Sequence, residues 1–221
     1  MKVQIGGPAY EMRLDARHCA SMAELAYRLG EYRLDVDTLG SGSADLSISY
    51  AHRTPVVMAR NHLFEKAIQD TTIDVLFWCD SDCFFPPESA WWAIHRTAGN
   101  GYPFCGMPCE LRDGGRYNVK LPGDPEWATE EALNKFQSQG GLPGAKLAGR
   151  PRPVDAMGTG VCAMYMPLWR EKCPIGPWFF DAFTEAGYVS EDVMFTSTMK
   201  ERVGYPPVCW PTKSFHKPRW G

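Results

Sequence analysis

Along the first hundred residues, apolar positions at three- and four-residue spacing alternate with short apolar runs. Val3 to Ile5 reads as a short strand ended by Gly6-Gly7-Pro8. His18 to Leu29 sets Met22, Leu25, Ala26 and Leu29 on one helical face. Tyr32 to Leu39 reads as a second strand closed by Gly40-Ser41-Gly42-Ser43, and Asp45 to Tyr50 as a short alternating one. Thr54-Pro55 is an N-cap followed by proline at the first helical position. Val56, Ala59, Leu63 and Ala67 then share a stripe, with Phe64 and Ile68 beside it, which predicts an amphipathic helix ending near Asp70. The run Ile73-Asp74-Val75-Leu76-Phe77-Trp78-Cys79 is continuous, as a central strand covered on both faces should be. Past Pro86-Pro87, Glu88 to Thr97 begins another helix.

From Gly99 to Pro153 glycine and proline are frequent, and periodicity is confined to Glu130 to Phe136. This texture predicts a long functional excursion with a small helix inside it, not a separate domain. Val154 to Met166 returns to β-like sequence around Gly158-Thr159-Gly160. Glu191 to Glu201 reads as helix and Val208 to Trp210 as a last short strand. The alternation of strands and helices predicts an α/β fold, with a mostly parallel central sheet flanked by helices in a single domain.

Composition adds little that is specific. The 221 residues are 44% hydrophobic and 22% charged, as in a soluble globular domain with a sizeable core. A formal net charge of −3 makes no overall case for nucleic-acid binding. Lys146, Arg150 and Arg152, and then Lys213, Lys217 and Arg219, are local basic stretches that read as solvated loop charge or as a nucleic-acid contact. The N-terminus has no signal-peptide core and no apolar stretch is long enough to span a bilayer. The expectation is a soluble, cytoplasmic protein whose eight cysteines are reduced.

The chemistry centres on Asp80-Ser81-Asp82, directly after the continuous apolar run. In open α/β sheets, ligands sit beyond the carboxyl ends of the strands. Two carboxylates one residue apart repel unless a cation bridges them, and oxygen ligands suit a hard divalent ion. Arg60 shares its helical face with Val56, Leu63 and Ala67. An arginine there needs an anionic partner, either a donor phosphate or a carboxylate.

Ala59-Arg60-Asn61, the apolar strand, Asp80-Ser81-Asp82 and Pro86-Pro87 together resemble the GT-A glycosyltransferases, especially family 2 and its relatives. The resemblance implies a GT-A-like, Rossmann-like domain over 1–221, with a nucleotide-sugar-binding half at 1–98 and an acceptor-binding half at 99–221. It implies a metal-dependent hexosyltransferase that moves a sugar from a nucleoside-diphosphate sugar, a UDP-hexose, to an acceptor hydroxyl with inversion. Asp80 and Asp82, completed by His216, would hold Mn²⁺ or Mg²⁺. Pro8, Tyr10, Arg60, Ser81 and Lys217 would join them around the donor, with Tyr10 stacked on uracil or packed in the core. Gly158, Thr159 and Gly160 look like the glycine-containing segment under the sugars. Ser190-Glu191-Asp192 looks like the Glu-Asp motif at a helix start, with Asp192 as general base beside Glu191. Trp178, in Trp178-Phe179-Phe180, marks the acceptor-side aromatic cluster. The family's aspartate after the second strand has no assigned counterpart among Asp35 and Asp37.

Two rival readings of the acidic triplet stand beside this one. A haloacid-dehalogenase-like, Mg²⁺-dependent phosphohydrolase also begins with Asp-x-Asp after a strand, its first aspartate acting as nucleophile. Here Cys83-Phe84 stands where that family has threonine or valine, and a full α/β segment precedes the motif. The other rival is a non-catalytic nucleotide-binding module. Cys79 with Cys83, and Cys105 with Cys109, are C-x3-C pairs that read as a four-thiolate zinc site or as buried small hydrophobes. The acceptor stays open between a glycan, a protein and a hydroxymethylated base in DNA.

Overall fold

The computed structural model describes residues 1–9, 15–36, 45–52, 55–111, 114–139, 151–184 and 187–216. The first half runs β1 (Lys2–Ala9), α1 (Ala16–Val36), β2 (Asp45–His52), α2 (Val56–Gln69), β3 (Val75–Cys79), β4 (Cys83–Phe84) and α3 (Pro87–Asn100). Next come β5 (Cys105–Gly106), β6 (Arg116–Lys120), β7 (Trp127–Thr129), α4 (Glu130–Ser138), β8 (Arg152–Pro153), β9 (Ala156–Met157), β10 (Val161–Tyr165) and α5 (Met166–Lys172). The chain closes with β11 (Ala182–Thr184), β12 (Gly187–Val189), α6 (Glu191–Ser197), α7 (Met199–Val203), β13 (Val208–Cys209) and β14 (Phe215–His216).

A seven-stranded sheet has the order β2-β1-β3-β10-β5-β13-β8. Only β10 and β8 run against the other strands of that sheet, so it is mostly parallel. β3 shows why its sequence is continuously apolar. Leu76 and Trp78 enter one core cluster, and Val75, Phe77 and Cys79 enter the other. Met22, Leu25 and Leu29 of α1 and Ala90, Ala93 and Ile94 of α3 cover the second face. Leu63, Phe64 and Ala67 of α2 cover the first, with Trp169 of α5 and Phe195 of α6. The aromatic centre there is tight: Phe179 stacks on Phe195 at 4.3 Å between centroids, and Phe64 meets Trp169 edge-on at 5.2 Å.

Four expectations are corrected. β1 does not end at Gly6 but runs through Gly7 and Pro8 to Ala9 beside β2. Its pairing with β3 stops at Gly6, so Pro8 interrupts no ladder on that side. Gly7 is there for space, since a Cβ would lie 1.9 Å from the Cys79 carbonyl oxygen. Residues 32–36 are not strand but the last turns of α1, while 37–39 lie outside the described residues. Extending an existing helix gains a hydrogen bond per residue, which outweighs the alternating pattern of Tyr32, Leu34 and Val36. Pro55 occupies the N-cap of α2 rather than its first helical position, and Thr54 lies outside the described residues. The helix expected over 191–201 is broken at Thr198 into α6 and α7.

The glycine- and proline-rich excursion carries more structure than its texture predicts. β7, β6 and β9 form a small sheet, and α4 begins with the Thr129 hydroxyl accepting from the Ala132 N–H. Thr196 of α6 ties this sheet down by donating its hydroxyl to the Met157 carbonyl at 2.7 Å. No helix among the described residues is long and apolar enough to cross a membrane.

Candidate active site at the carboxyl ends of the strands

The acidic turn sits where β1 and β3 end. Asp80 N–H donates to the Gly160 carbonyl at 2.8 Å, Ser81 N–H to the Pro8 carbonyl at 3.3 Å, and Cys83 N–H to the Asp80 carbonyl at 2.9 Å. These bonds bring Pro8, Ser81 and Gly160 to one place through their backbones.

Arg60 connects the turn to the distant Glu-Asp motif. One guanidinium nitrogen donates to Asp80 Oδ2 at 2.9 Å and another to Glu191 Oε1 at 2.9 Å. The anionic partner predicted for Arg60 is thus a pair of carboxylates. Arg60 is only 4% exposed. Burial works against its charge, yet Asp80, Asp192 and Glu191 outweigh that and hold its pKa above the usual arginine value. Burial raises the pKa of Asp80, opposed by Arg60 and by the Trp78 indole N–H, which donates to Asp80 Oδ1 at 2.9 Å. Glu191 is likewise raised by burial, with Arg60 opposing.

The glycine segment lies against both acids. A Cβ on Gly158 would meet Asn118 Nδ2 at 2.5 Å and Asp192 Oδ2 at 3.1 Å, and one on Gly160 would meet Cys83 Sγ at 3.2 Å and Asp80 Oδ2 at 3.8 Å. A larger residue at either position would push on these side chains. Thr159 between them is fully buried and its hydroxyl has no partner among the described residues.

Asp192 opens α6. Its Oδ1 accepts from the Ser190 hydroxyl at 2.5 Å and from the Val193 N–H at 2.8 Å. Ser190 therefore serves the aspartate instead of capping the helix with its side chain. Asp181, which has no role in the sequence reading, accepts the Glu191 N–H at 3.1 Å and the Tyr188 hydroxyl at 2.7 Å. Asn61, which the sequence offers only as part of Ala59-Arg60-Asn61, forms a clamp. It accepts the Trp178 and Phe179 N–H groups at 2.8 and 3.0 Å and donates to the Phe179 carbonyl at 2.7 Å. Asparagine next to a buried arginine was the signal available for that clamp.

Two expected site residues are placed elsewhere. Trp178 is 4% exposed, packs on Phe64 at 5.1 Å, and gives its indole N–H to the Cys173 carbonyl. Core rings occupy the face a sugar would need. Exposed aromatics occur instead at Phe183 and Tyr188, paired across the β11–β12 hairpin and 86% and 59% exposed. His216 stands beside the carboxylates, not among them: it shares Cys83 with them, and the Asp82 charge helps raise its pKa. Its Nδ1 lies 3.3 Å from Cys109 Sγ and 2.9 Å from the Glu110 carbonyl oxygen. The Cys109 contact pushes the imidazole up to about 9 against the effect of burial. Cys109 is held low, first by the Cys83 thiol and then by His216.

The four-thiolate arrangement of Cys79, Cys83, Cys105 and Cys109 does not form. Cys79 Sγ faces His18 Nδ1 at 3.5 Å, and among the described residues only Cys83 and Cys109 of the four share a ligand cluster. Tyr10 and Lys217 lie outside the described residues, as do Lys146, Arg150 and Arg219.

Ligand oxygens of Asp80 and Asp82, with Cys83 Sγ, lie within 4.8 Å of one another. Two carboxylates at the end of a strand are a donor set for a hard divalent cation.

No protein-family model and no curated protein matches this sequence. Solved structures do. The chain is similar to A197 from STIV, with a TM-score of 0.56 and 16% identity over 95% of this chain and 81% of that one. It is similar to GalNAc-T7, solved with UDP, GalNAc and Mn²⁺, with a TM-score of 0.55 and 12% identity over 99% of this chain and 44% of that one. It also matches S. aureus TarS 1–349 in complex with UDP-GlcNAc, with a TM-score of 0.50 and 12% identity over the whole of this chain and 60% of that one. The chain thus spans less than two thirds of the last two. The protein has the α/β fold of the GT-A glycosyltransferases, with its acidic turn at the carboxyl ends of the strands.

Proposed function

We propose that the protein is a metal-dependent glycosyltransferase that moves a hexose from a UDP-sugar to an acceptor hydroxyl with inversion. One observation carries the reading. Arg60 ties Asp80 of the acidic turn to Glu191, so the turn and the neighbouring Asp192 form one assembly around the glycine segment. The donor half is 1–98 and the acceptor half 99–221 in this reading. The solved complexes of GalNAc-T7 with UDP and Mn²⁺, and of TarS with UDP-GlcNAc, support the nucleotide and the ion.

Asp82 and Asp80 would hold Mn²⁺ or Mg²⁺. When bound, the ion supplies positive charge to the departing diphosphate. Arg60 and Trp78 fix the orientation of Asp80, so that carboxylate is preorganised. Ser81 and Pro8 hold the turn at the end of β1. Gly158, Thr159 and Gly160 pack between the acidic turn and Asp192 and hold the two together, with the sugar bound beside them. Asp192 Oδ1 is oriented by Ser190 and the Val193 N–H, and the carboxylate takes the proton from the acceptor hydroxyl. Glu191 positions Arg60. Phe183 and Tyr188 take the stacking role first expected of Trp178, which favours a glycan over a protein or a hydroxymethylated DNA base as acceptor.

The hydrolase reading fares worse. Its nucleophile would be Asp80, whose charge is drawn off by hydrogen bonds from Arg60 and Trp78, which weakens it for attack while leaving lone pairs that can orient a cation. The test is a screen of nucleotide sugars with and without Mn²⁺. Nucleoside diphosphate release that needs Mn²⁺ is expected, and Asp192→Asn should lower kcat about 10²- to 10⁴-fold. Phosphate release from simple monoesters, or a product anomer identical to the donor's, would overturn the reaction or the base assignment respectively.

A further inference from the structure

The transfer chemistry makes no use of a cluster next to the acidic turn, formed by Cys83, Cys109 and His216. We propose that these three side chains form a second metal site, for a borderline-soft divalent cation of the Zn²⁺ class. It is chemically distinct from the carboxylate pair and stands whether or not the transferase reading does.

Backbone pairing assembles it. β4 and β14 pair antiparallel with Cys83 directly opposite His216, which places their side chains on one face. Cys109 reaches them because it bridges to Ser214, whose N–H also donates to the Pro108 carbonyl at 2.9 Å. Three separate segments thus deliver one ligand each, and ladder register, not long flexible side chains, decides where they meet.

The spacing suits a metal. Zn–S near 2.3 Å and Zn–N near 2.0 Å in a tetrahedron put sulfur and nitrogen about 3.5 Å apart, and two sulfurs about 3.8 Å apart. Cys109 Sγ and His216 Nδ1 are 3.3 Å apart, and all three ligand atoms lie within 4.8 Å of one another. Both cysteines are fully buried, and His216 is half-buried.

The donor set selects the ion. Two sulfurs and an imidazole favour Zn²⁺ over Mn²⁺ or Mg²⁺, whereas the oxygens of Asp80 and Asp82 favour the harder ions. On binding, the proton of the Cys83 thiol and the proton shared by Cys109 Sγ and His216 Nδ1 leave to solvent as the metal–sulfur and metal–nitrogen bonds form. The imidazole ligates through Nδ1 and carries its proton on Nε2, so its contact with the Glu110 carbonyl is given up. Glu110 is exposed, and water can take its place there. Water completes the fourth position. Because Cys83 follows Asp82 directly, a metal here anchors the acidic turn to the C-terminal strand.

The reduced wild-type protein would be titrated with Cd²⁺ under a large excess of Mg²⁺, reading thiolate-to-metal charge-transfer absorption. The band should saturate at one equivalent, be bleached by Zn²⁺, and vanish in Cys109→Ser. X-ray absorption of the Zn²⁺-loaded wild type should show two sulfur neighbours at about 2.3 Å, and decides the matter even if the variant fails to fold. No band, a band that survives Cys109→Ser in a folded variant, or a shell of nitrogen and oxygen alone would overturn the site.

Discussion

Arg60 shows how one buried side chain can organise a site. It is buried, charged, and bonded at two nitrogens to acids far apart in the chain. Removing one partner of a buried charged group leaves the other uncompensated. Arg60→Met should therefore cost about 3–5 kcal/mol in urea denaturation without divalent metal. A loss under about 1 kcal/mol would mean that Asp80 and Glu191 find other partners. That Arg60 needed an anion was legible from its place on the apolar stripe of α2. Which anion was not, because Glu191 comes from a helix start whose location depends on the whole fold.

Among elements, the end of β1 depends on a missing side chain. Gly7 lies so close to the carbonyl of Cys79 that a methyl group cannot fit without moving β1 or β3. The obstacle is backbone, which cannot rotate away as a side chain would. Gly7→Ala should cost about 3 kcal/mol or more, measured by urea or thermal unfolding, and should displace the Pro8–Ser81 contact. An unchanged melting temperature would show that the strands can separate cheaply. In the sequence, Gly6-Gly7-Pro8 looks like a strand terminator, since glycine and proline ordinarily break strands. The distance between two strand ends is a tertiary quantity, so the reason for the glycine was hidden. The boundary of α1 is hidden for a related reason: Gly30 and the alternation of Tyr32, Leu34 and Val36 both suggest a helix end, yet α1 runs through them to Val36.

For the whole molecule, burial sets the response to acid. Burial pushes His18 and His95 below the usual histidine value of 6.5. The unfolded chain then binds protons at these positions before the folded chain does, so stability rises with pH in that window. Their contribution is fully present above about 6.5 and is lost as the pH falls through the lower folded values. The urea midpoint should accordingly fall below pH 6.5, and His95→Gln should flatten part of that decline. An identical slope in the variant would remove His95 from the account.

The acidic triplet, the amphipathic α2, the continuous β3 and the Glu-Asp pair at a helix start were all written in the sequence, because each is a pattern over a few neighbouring residues. Local periodicity and motif order were enough for an α/β sheet with an acidic turn at its carboxyl ends. Only the tertiary structure decided which side chains meet. It turned Trp178 into the core and left Phe183 and Tyr188 exposed, gave Arg60 two carboxylates, and set His216 opposite Cys83 rather than among the aspartates. Strand register and packing join residues separated by most of the chain, and no local pattern encodes those distances.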